Sequence, residues 1–259
     1  LAQAQEKGYA EADPTLDING GDSAHKLAIL SSIAFGCQIS YEDISVDGIE
    51  SVAPEDLRYG REMGYVLKLL AVAFRLEGGQ IALRVHPSFI PEDNSLAHVS
   101  GSFNAVSIFG HAVGQVTYYG RGAGMMPTAS AVVSDIVDVA IGNSLNTFRH
   151  QHLRAAEELR PRIEKFEESV SRFYIRMMAK DQAGVFAKIG RILADNDISI
   201  SGALQHEGRG PDNTIPVVVT THPTRQDQVS KAVDALAKVV TITSKPVCIR
   251  IVDIPQDTD

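Results

Sequence analysis

The sequence predicts an α+β fold, in which a mixed open sheet with helices on one face is followed by a smaller βαββαβ module. Two observations support this assignment. Strand-like runs follow one another between residues 65 and 119 with little helix between them, which is typical of an antiparallel or mixed sheet rather than of a βαβ alternation. After residue 170, strands and one-sided helices alternate with short connections.

The composition indicates a globular protein with two domains. The chain has 259 residues, of which 44% are hydrophobic and 22% charged, and its net charge is −8. The negative charge and the absence of a Lys/Arg block argue against nucleic acid as a partner. No apolar run approaches the roughly 20 residues of a membrane span, and no signal-peptide core is present near the start, so we expect no membrane association and a cytoplasmic location.

The cysteines and the first residue of the chain lead to two further expectations. The cysteines Cys37 and Cys248 are far apart, which predicts neither a disulfide nor a metal site. The chain begins at Leu1, within a pattern that reads as a helix, and we therefore expect it to be a fragment.

The first region contains one strongly apolar helix and four strands. The run SAHKLAILSSIAF, residues 23–35, is apolar on all sides beyond its first turn, which predicts a helix buried in the core and ended by Gly36. A short helix is expected over PEDLRYGREMG. The predicted strands are YVLKLLAVAFRL, QIALRVHPSFI, SFNAVSIFG and AVGQVTYYG.

A glycine-rich loop, YGRGAGMMP, follows the last of these strands and leads into TASAVVSDIVDVAIGNSL. This segment is apolar on nearly every side, so we expect a helix packed on more than one side. Residues 150–170 are highly charged and are broken by Pro161, which is typical of a linker.

The last region, residues 171–259, predicts a ferredoxin-like order of elements. Its helices, GVFAKIGRILADN and TRQDQVSKAVDALAKVV, each carry one apolar stripe. They alternate with the strands RFYIRMMA, ISISGALQH, TIPVVVTT and PVCIRIV, which gives the split βαββαβ pattern.

The segment GYAEADPTLDINGGDSAHK, residues 8–26, concentrates charges before the apolar helix. Asp22 and Lys26 are four residues apart and therefore share one face of a helix. They could be an ordinary surface pair at the positive end of the helix, worth about a few tenths of a kcal/mol. Together with Glu11 and Asp17, they could instead line a cleft for a substrate that bears an ammonium group and a hydroxyl or carbonyl group.

Two stretches carry a family resemblance. GYAEADPTLDINGGDSAHKLAIL and LAHVSGSFNAVSIFGHAVGQVTYYGRGAGMMPTASAVVSDIVDVA closely resemble, in this order, the catalytic part of homoserine dehydrogenase over about residues 1–145. The last region resembles an ACT domain, a small regulatory module that binds amino acids. The resemblance implies a catalytic and dimerisation domain over residues 1–149, within which residues 119–145 return to a nucleotide domain. A linker over residues 150–170 and an ACT regulatory domain over residues 171–259 follow.

The resemblance also implies a reaction and its residues. Enzymes of this family interconvert L-homoserine and L-aspartate 4-semialdehyde with NAD or NADP, in the pathway to threonine, isoleucine and methionine. Lys26 would be the acid/base and Asp22 its neighbour, Glu11 would hold the substrate ammonium and Asp17 would support the polar network. Gly122 would approach the cofactor, although a glycine-rich turn of this pattern is by itself a weak dinucleotide signal.

Parts of the family pattern do not occur in this sequence. The nucleotide-binding domain, the loop for a monovalent cation and a further catalytic lysine precede the matching segment in the family. We therefore expect this chain alone to lack hydride transfer. Its preference between NAD and NADP cannot be read from it, because the residues that contact the ribose 2′ position lie in that domain.

For the ACT region the resemblance implies regulation by a small amino acid, with threonine expected as the inhibitor. Asp181 and Gly184 at the start of the first helix would face Asn196 and Ile198 of a paired module. Asp181 could also simply cap the helix. We expect a homodimer or a higher homo-oligomer. The alternative function is a non-catalytic amino-acid sensor with a scaffold N-terminal half, but a scaffold would not need the four charged residues of the cleft.

Overall fold

The computed structural model describes residues 13, 15–122, 124–150, 160–206 and 213–254, and for residues 148–150 the backbone alone. The first half contains helices α1 (Thr15–Ile18), α2 (Gly21–Phe35) and α3 (Pro54–Glu62), with strands β1 (Ser45–Val46), β2 (Tyr65–Arg75) and β3 (Ile81–Pro91). It continues with β4 (Phe103–Gly110), β5 (Gly114–Arg121), α4 (Met125–Ala140) and α5 (Asn143–His150). The second half contains β6 (Val170–Lys180), α6 (Val185–Asp195), β7 (Ile200–Gln205), β8 (Thr214–Thr221), β9 (Thr224–Arg225), α7 (Gln226–Ala237) and β10 (Val247–Ile251). Short 3₁₀ helices lie at Tyr41–Asp43, Ser95–His98 and Phe166–Glu168.

One mixed sheet extends through both halves of the chain. Its strand order is β1-β3-β10-β6-β8-β7, with β2 paired to β3 and β9 paired to β6. Strands β2 and β3 form an antiparallel pair over their full lengths, as their successive apolar runs predicted. The expected α+β class with a mixed sheet is therefore confirmed.

The second edge of β3 joins the two halves. Ile163 lies opposite Ile81, β1 lies opposite Arg84 and Val85, and β10 lies opposite Ser88 and Phe89, all in parallel orientation. The backbone N–H of Ile81 donates to the carbonyl of Arg162 at 2.8 Å. Residues 162–164 of the predicted linker therefore pair with β3 at Ile81, and the 3₁₀ helix Phe166–Glu168 follows them; residues 151–159 lie outside the described part.

The second half has the predicted ferredoxin-like arrangement. Its four long strands are antiparallel in the order β10-β6-β8-β7, which is the last, first, third and second strand of the βαββαβ unit. Helices α6 and α7 cover one face, where their apolar stripes meet the strands. This core contains Phe173, Ile175, Met177, Ala179, Val185, Ile189, Leu193, Val217, Val219, Val229, Ala232 and Leu236.

Helices α2 and α3 lie together on the opposite face of the sheet, which confirms helices on one face for the first half. Ala24 and Leu27 of α2 pack on Leu83 and Val85, and Tyr59 of α3 packs on Phe89. The expectation that α2 is buried on all sides was wrong. Its outer side is exposed, because a single layer of sheet covers only one side of a helix; the exposed residues include Ile29, Leu30 and Ile33.

Helix α4 was expected to pack on more than one side, and the described part of the chain does not provide that cover. Its apolar side chains are half or more exposed around the whole helix, as Val132, Val133, Ile136, Val137 and Val139 illustrate. Strands β4 and β5 form a separate two-stranded sheet instead of extending the main one. An apolar sequence pattern predicts that a helix face will be buried, but it does not identify the surface that buries it.

Asp56 connects the two halves through a buried polar cluster. Its side chain is fully buried, and one oxygen accepts from the backbone N–H of Ala53, which caps the start of α3. It also accepts from Tyr174 Oη at 2.8 Å, from Arg176 Nε at 2.5 Å and from Arg176 Nη2 at 3.0 Å. These bonds raise the pKa of Arg176, and burial together with the nearby carboxylate raises the pKa of Tyr174.

We predict that Asp56→Ala lowers the free energy of unfolding by about 3–5 kcal/mol, because it removes one member of a buried ion pair and leaves Arg176 without its charge partner. Urea denaturation of the chain, monitored by circular dichroism, measures this loss.

Asp195→Ala is the matched control. Asp195 pairs with Arg191 at 2.9 Å, but the two side chains are 55% and 79% exposed, so its removal should cost at most about 0.5 kcal/mol. Equal losses in the two variants would contradict a buried coupling at Asp56.

Candidate functional site

The turn into α2 fixes the start of that helix on the sheet. Gly20 has φ +84°, and a β-carbon there would lie 3.0 Å from Val46 Cγ1 and 3.1 Å from Val85 Cγ1. Asn19 Oδ1 accepts from the backbone N–H of Gly21 at 2.8 Å. A tight turn at Asn19-Gly20-Gly21 therefore holds the first turn of α2 against strands β1 and β3.

Asp22 and Lys26 form the predicted pair on α2. Lys26 Nζ donates to Asp22 Oδ2 at 2.5 Å, and the side chains are 64% and 43% exposed, respectively. A pair this exposed contributes only about 0.3–0.5 kcal/mol to stability. Its contribution to stability is therefore small, and the ammonium group of Lys26 remains accessible to a molecule in solution.

Of the other two carboxylates of the predicted cleft, the structure describes Asp17 but not Glu11. Asp17 lies on α1, is exposed, and stands on the segment that leads directly into the start of α2. Glu11 lies outside the described residues. The structure therefore brings together Asp22 and Lys26, and the assembly of all four residues stays a prediction.

An aromatic pair beside Lys26 was missed in the sequence. His25 and Tyr41 stack with ring centroids 4.6 Å apart, and Tyr41 Oη is 3.7 Å from the position that a β-carbon of Gly21 would occupy. The two rings come from α2 and from the 3₁₀ helix after it, so no local spacing connects them. They place a phenol and an imidazole next to the Asp22–Lys26 pair.

Gly122 lies at the base of the β4–β5 hairpin, beside the exposed side chain of Asn104. A β-carbon at this position would lie 2.1 Å from Asn104 Nδ2. The backbone N–H of Gly122 donates to the carbonyl of Ser102 at 3.3 Å. By contrast, nothing lies within 4 Å of a β-carbon built at Gly120. Gly120 lies within β5 opposite Asn104 and is half-buried, whereas Gly122 directly after the strand is exposed.

The residues expected to bind an effector lie at the two ends of α6. Gly184 has φ +86° and precedes the helix, and Asp181 exchanges hydrogen bonds with Asn213. At the other end, Asn196 Nδ2 donates to the carbonyl of Ile192, and the side chain of Ile198 is buried in the core of its own module. An 11-residue helix is about 16 Å long, so a single chain cannot bring the two ends to one small ligand.

Two searches within the described residues give negative results. No group of three or more His, Cys, Asp or Glu side chains there is arranged to hold a metal ion. Among the helices of the described part, none is long and apolar enough to span a membrane.

Comparison with known protein families gives two matches. The model of the homoserine dehydrogenase family matches residues 1–137, and that of the ACT domain matches residues 173–241. The first match contains the Asp22–Lys26 pair, the turn that positions it and the whole β4–β5 hairpin. The second contains α6 and most of the ferredoxin-like module.

Individual proteins give the same result. The chain is 41% identical over 254 residues to a homoserine dehydrogenase of Pseudomonas aeruginosa, covering 97% of this chain and 58% of that protein. It is 39% identical over 251 residues to the Helicobacter pylori homoserine dehydrogenase, with coverages of 97% and 58%. The crystal structure of a homoserine dehydrogenase from Thiobacillus denitrificans matches with a TM-score of 0.85 at 41% identity, covering 98% of this chain and 57% of that one. The chain thus spans a little under three fifths of the length of these relatives.

Proposed function

Because the chain belongs to the homoserine dehydrogenase family, we propose that it is the substrate-binding, catalytic and regulatory part of an oxidoreductase that interconverts L-homoserine and L-aspartate 4-semialdehyde. The observation that carries this proposal is the Asp22–Lys26 pair. The pair stands on a rigid turn, is accessible to solvent, and lies within the segment that matches the family.

We assign Lys26 the role of acid/base at the substrate oxygen. When the aldehyde is reduced, negative charge develops on its oxygen, and an ammonium group within hydrogen-bond reach stabilises and protonates that oxygen. In the reverse direction, the amine accepts the hydroxyl proton. Asp22 holds Lys26 through its 2.5 Å bond, which restricts the flexible lysine side chain to one side of α2. Glu11 is proposed to hold the substrate ammonium, and Asp17 to support the polar network.

The hydride would be supplied or accepted by NAD or NADP. The described residues fit one edge of such a group, since Gly122, directly after β5, is exposed and a glycine allows close approach to the backbone. Gly122 is therefore the residue proposed to approach the cofactor. A monovalent cation is proposed as a further ligand of the enzyme.

We predict that Lys26→Ala lowers kcat by at least roughly 10²-fold in the gene product that carries residues 1–259, because the oxygen of the substrate loses its proton donor. Steady-state kinetics in both directions measure this change, and the affinity for the nicotinamide cofactor should change much less.

Lys231→Ala is the matched control, since Lys231 is also an exposed helical lysine paired with an aspartate four residues earlier. In the same assay, Glu11→Gln should chiefly raise KM for homoserine. Near-normal turnover of Lys26→Ala would remove Lys26 from the mechanism. A gene product without any turnover would favour the alternative, a non-catalytic amino-acid sensor.

The second half is proposed to bind threonine as a feedback inhibitor. The turn before α6 exposes backbone at Gly184, where nothing lies within 4 Å of a β-carbon, and the helix N-terminus favours a carboxylate. Because Asn196 and Ile198 lie at the other end of α6, their participation requires a second module. The buried side chain of Ile198 limits its contribution to the backbone.

We predict that calorimetry of the chain with threonine gives a saturable heat at millimolar or lower concentrations. Asp181→Ala should weaken binding at least about fivefold, since the ligand would lose its proposed contact with the Asp181 carboxylate, while the main-chain bonds of residue 181 to Asn213 remain. Asp234→Ala, at an exposed position of α7, should leave binding unchanged. Absence of heat with threonine, isoleucine and methionine would leave the module without an effector role.

A homodimer or higher homo-oligomer is proposed from the exposed apolar surface. The outer side of α2 exposes Ile29 by 63%, Leu30 by 46% and Ile33 by 48%, and adjacent apolar residues of this size favour burial against another surface.

We predict a mass of at least twice 27.9 kDa by light scattering at micromolar concentration. Replacing Ile29 and Ile33 by Lys should lower that mass, and a monomeric wild-type chain would contradict the proposal.

A further inference from the structure

A cleft of about 260 Å³ lies where the two halves of the sheet meet. It is formed by the even-numbered residues of β2 and β3, by the start of β6 and by the end of β10. Its position is separate from the Asp22–Lys26 pair, which stands on the opposite face of the sheet, and from the start of α6. The lining residues are Val72, Phe74, Arg84, His86, Val170, Ser171, Arg172, Pro223, Arg250, Ile251, Val252 and Asp253.

Two buried arginines contribute to this cleft from neighbouring strands. Arg84 and His86 alternate with Leu83 and Val85 on β3, so their side chains share one face. Arg250 of β10 joins this face because its strand partner on β3 is Ser88. Arg84 and Arg250 are each 5% exposed, and such burial of an arginine is unusual without strong partners.

Arg84 is incompletely satisfied. Its nearest carboxylate oxygen is Glu164 Oε2, at 3.4 Å from Nη1, and its guanidinium lies over the ring of Phe74 at 5.2 Å. The Nη1 atom is buried and has no hydrogen-bond acceptor among the described residues. A buried donor without an acceptor costs about 1–3 kcal/mol, so an acceptor brought within reach of this atom would stabilise it.

The other cations around the cleft have partners of their own. Arg250 Nη2 donates to Ser169 Oγ at 3.0 Å and to Gln226 Oε1. The Asp47 carboxylate interacts with Arg250 as well: desolvation raises the pKa of Asp47, and the charge of Arg250 opposes that shift. Arg172 pairs with Asp253 at 3.2 Å at the open side.

The electrostatics favour an anion at this place. Burial, then the charges of Arg250 and Arg84, lower the pKa of His86 to about 3, so the imidazole stays neutral at physiological pH. Burial and the neighbouring Arg84 likewise lower the pKa of Arg250 to about 10. The carboxylates of Glu164 and Asp47 oppose the shift in the pKa of Arg250 without cancelling it, so the two cations would still gain from a further negative charge nearby.

We propose that this cleft binds a small monocarboxylate with a short aliphatic body. The carboxylate would accept from Arg84 Nη1 and face the guanidinium of Arg250, and Val72, Phe74 and Val170 would contact the aliphatic part. A monoanion is favoured over inorganic phosphate because most of the lining is apolar. The proposal does not depend on dehydrogenase activity.

The test is calorimetric titration of the 259-residue chain with three probes. Isobutyrate should bind saturably with a millimolar Kd. Isobutyramide, which has the same shape without the charge, should bind at least tenfold more weakly, and so should inorganic phosphate. Equal binding of the amide would overturn the charge-based assignment, and equal or tighter binding of phosphate would overturn the choice of a carboxylate.

Two variants locate the site. Val170→Trp fills the open side of the cleft without altering a charge, since Val170 is 59% exposed, and should weaken isobutyrate binding at least tenfold. Val240→Trp, at an 87% exposed position that does not line the cleft, should bind as the unchanged chain does. Arg84→Gln should also weaken binding at least tenfold. Unchanged binding in Val170→Trp would overturn the proposal even where Arg84→Gln fails to fold.

Discussion

Both halves of this protein depend on the pairing of one strand, β3. One of its edges is paired with β2 along its whole length, and the other is shared by Ile163, β1 and β10. Ten successive residues, 81–90, are buried as a result. The start of α2 packs on the same strand at Val85, so the strand that orients the Asp22–Lys26 pair also positions the last strand of the second half. Neither half can move far without loss of hydrogen bonds on β3.

The contact at Asp56 adds a second constraint of a different kind. The pairing of β10 with β3 involves two residue pairs, whereas Asp56 fixes the orientation of α3 relative to β6 through bonds to Tyr174 and Arg176. Charged bonds in a buried site depend strongly on geometry, so a small shift of β6 would cost more here than at an apolar contact. Regulation through the second half therefore requires a second stable arrangement of this cluster, because a ligand that binds both arrangements equally changes nothing.

The sequence predicted what local periodicity determines. The βαββαβ order, the β2–β3 pair and the Asp22–Lys26 spacing all follow from alternation or from helical repeats within short segments. Contacts between segments far apart in the chain produce no periodic pattern in the sequence and were therefore not predicted. Asp56 and Arg176 are 120 positions apart, and β10 meets β3 through only two residue pairs. The exposure of α2 and α4 was missed for another reason: apolar residues indicate a need for burial and do not specify which surface provides it.

Three features of the structure lie in order along strand β6. Their order determines how a ligand at either end of the strand could affect the junction with β3. The carboxylate cleft lies at its first residues, Val170 to Arg172, the Asp56 cluster lies at Tyr174 and Arg176, and the turn before α6 follows its last residue. An 11-residue strand is roughly 35 Å long, so the two ends are well separated. A ligand in the cleft would act directly on the junction with β3. A ligand at α6 could act on that junction along β6 through the Asp56 cluster, or through α7, whose Gln226 accepts from Arg250 of β10.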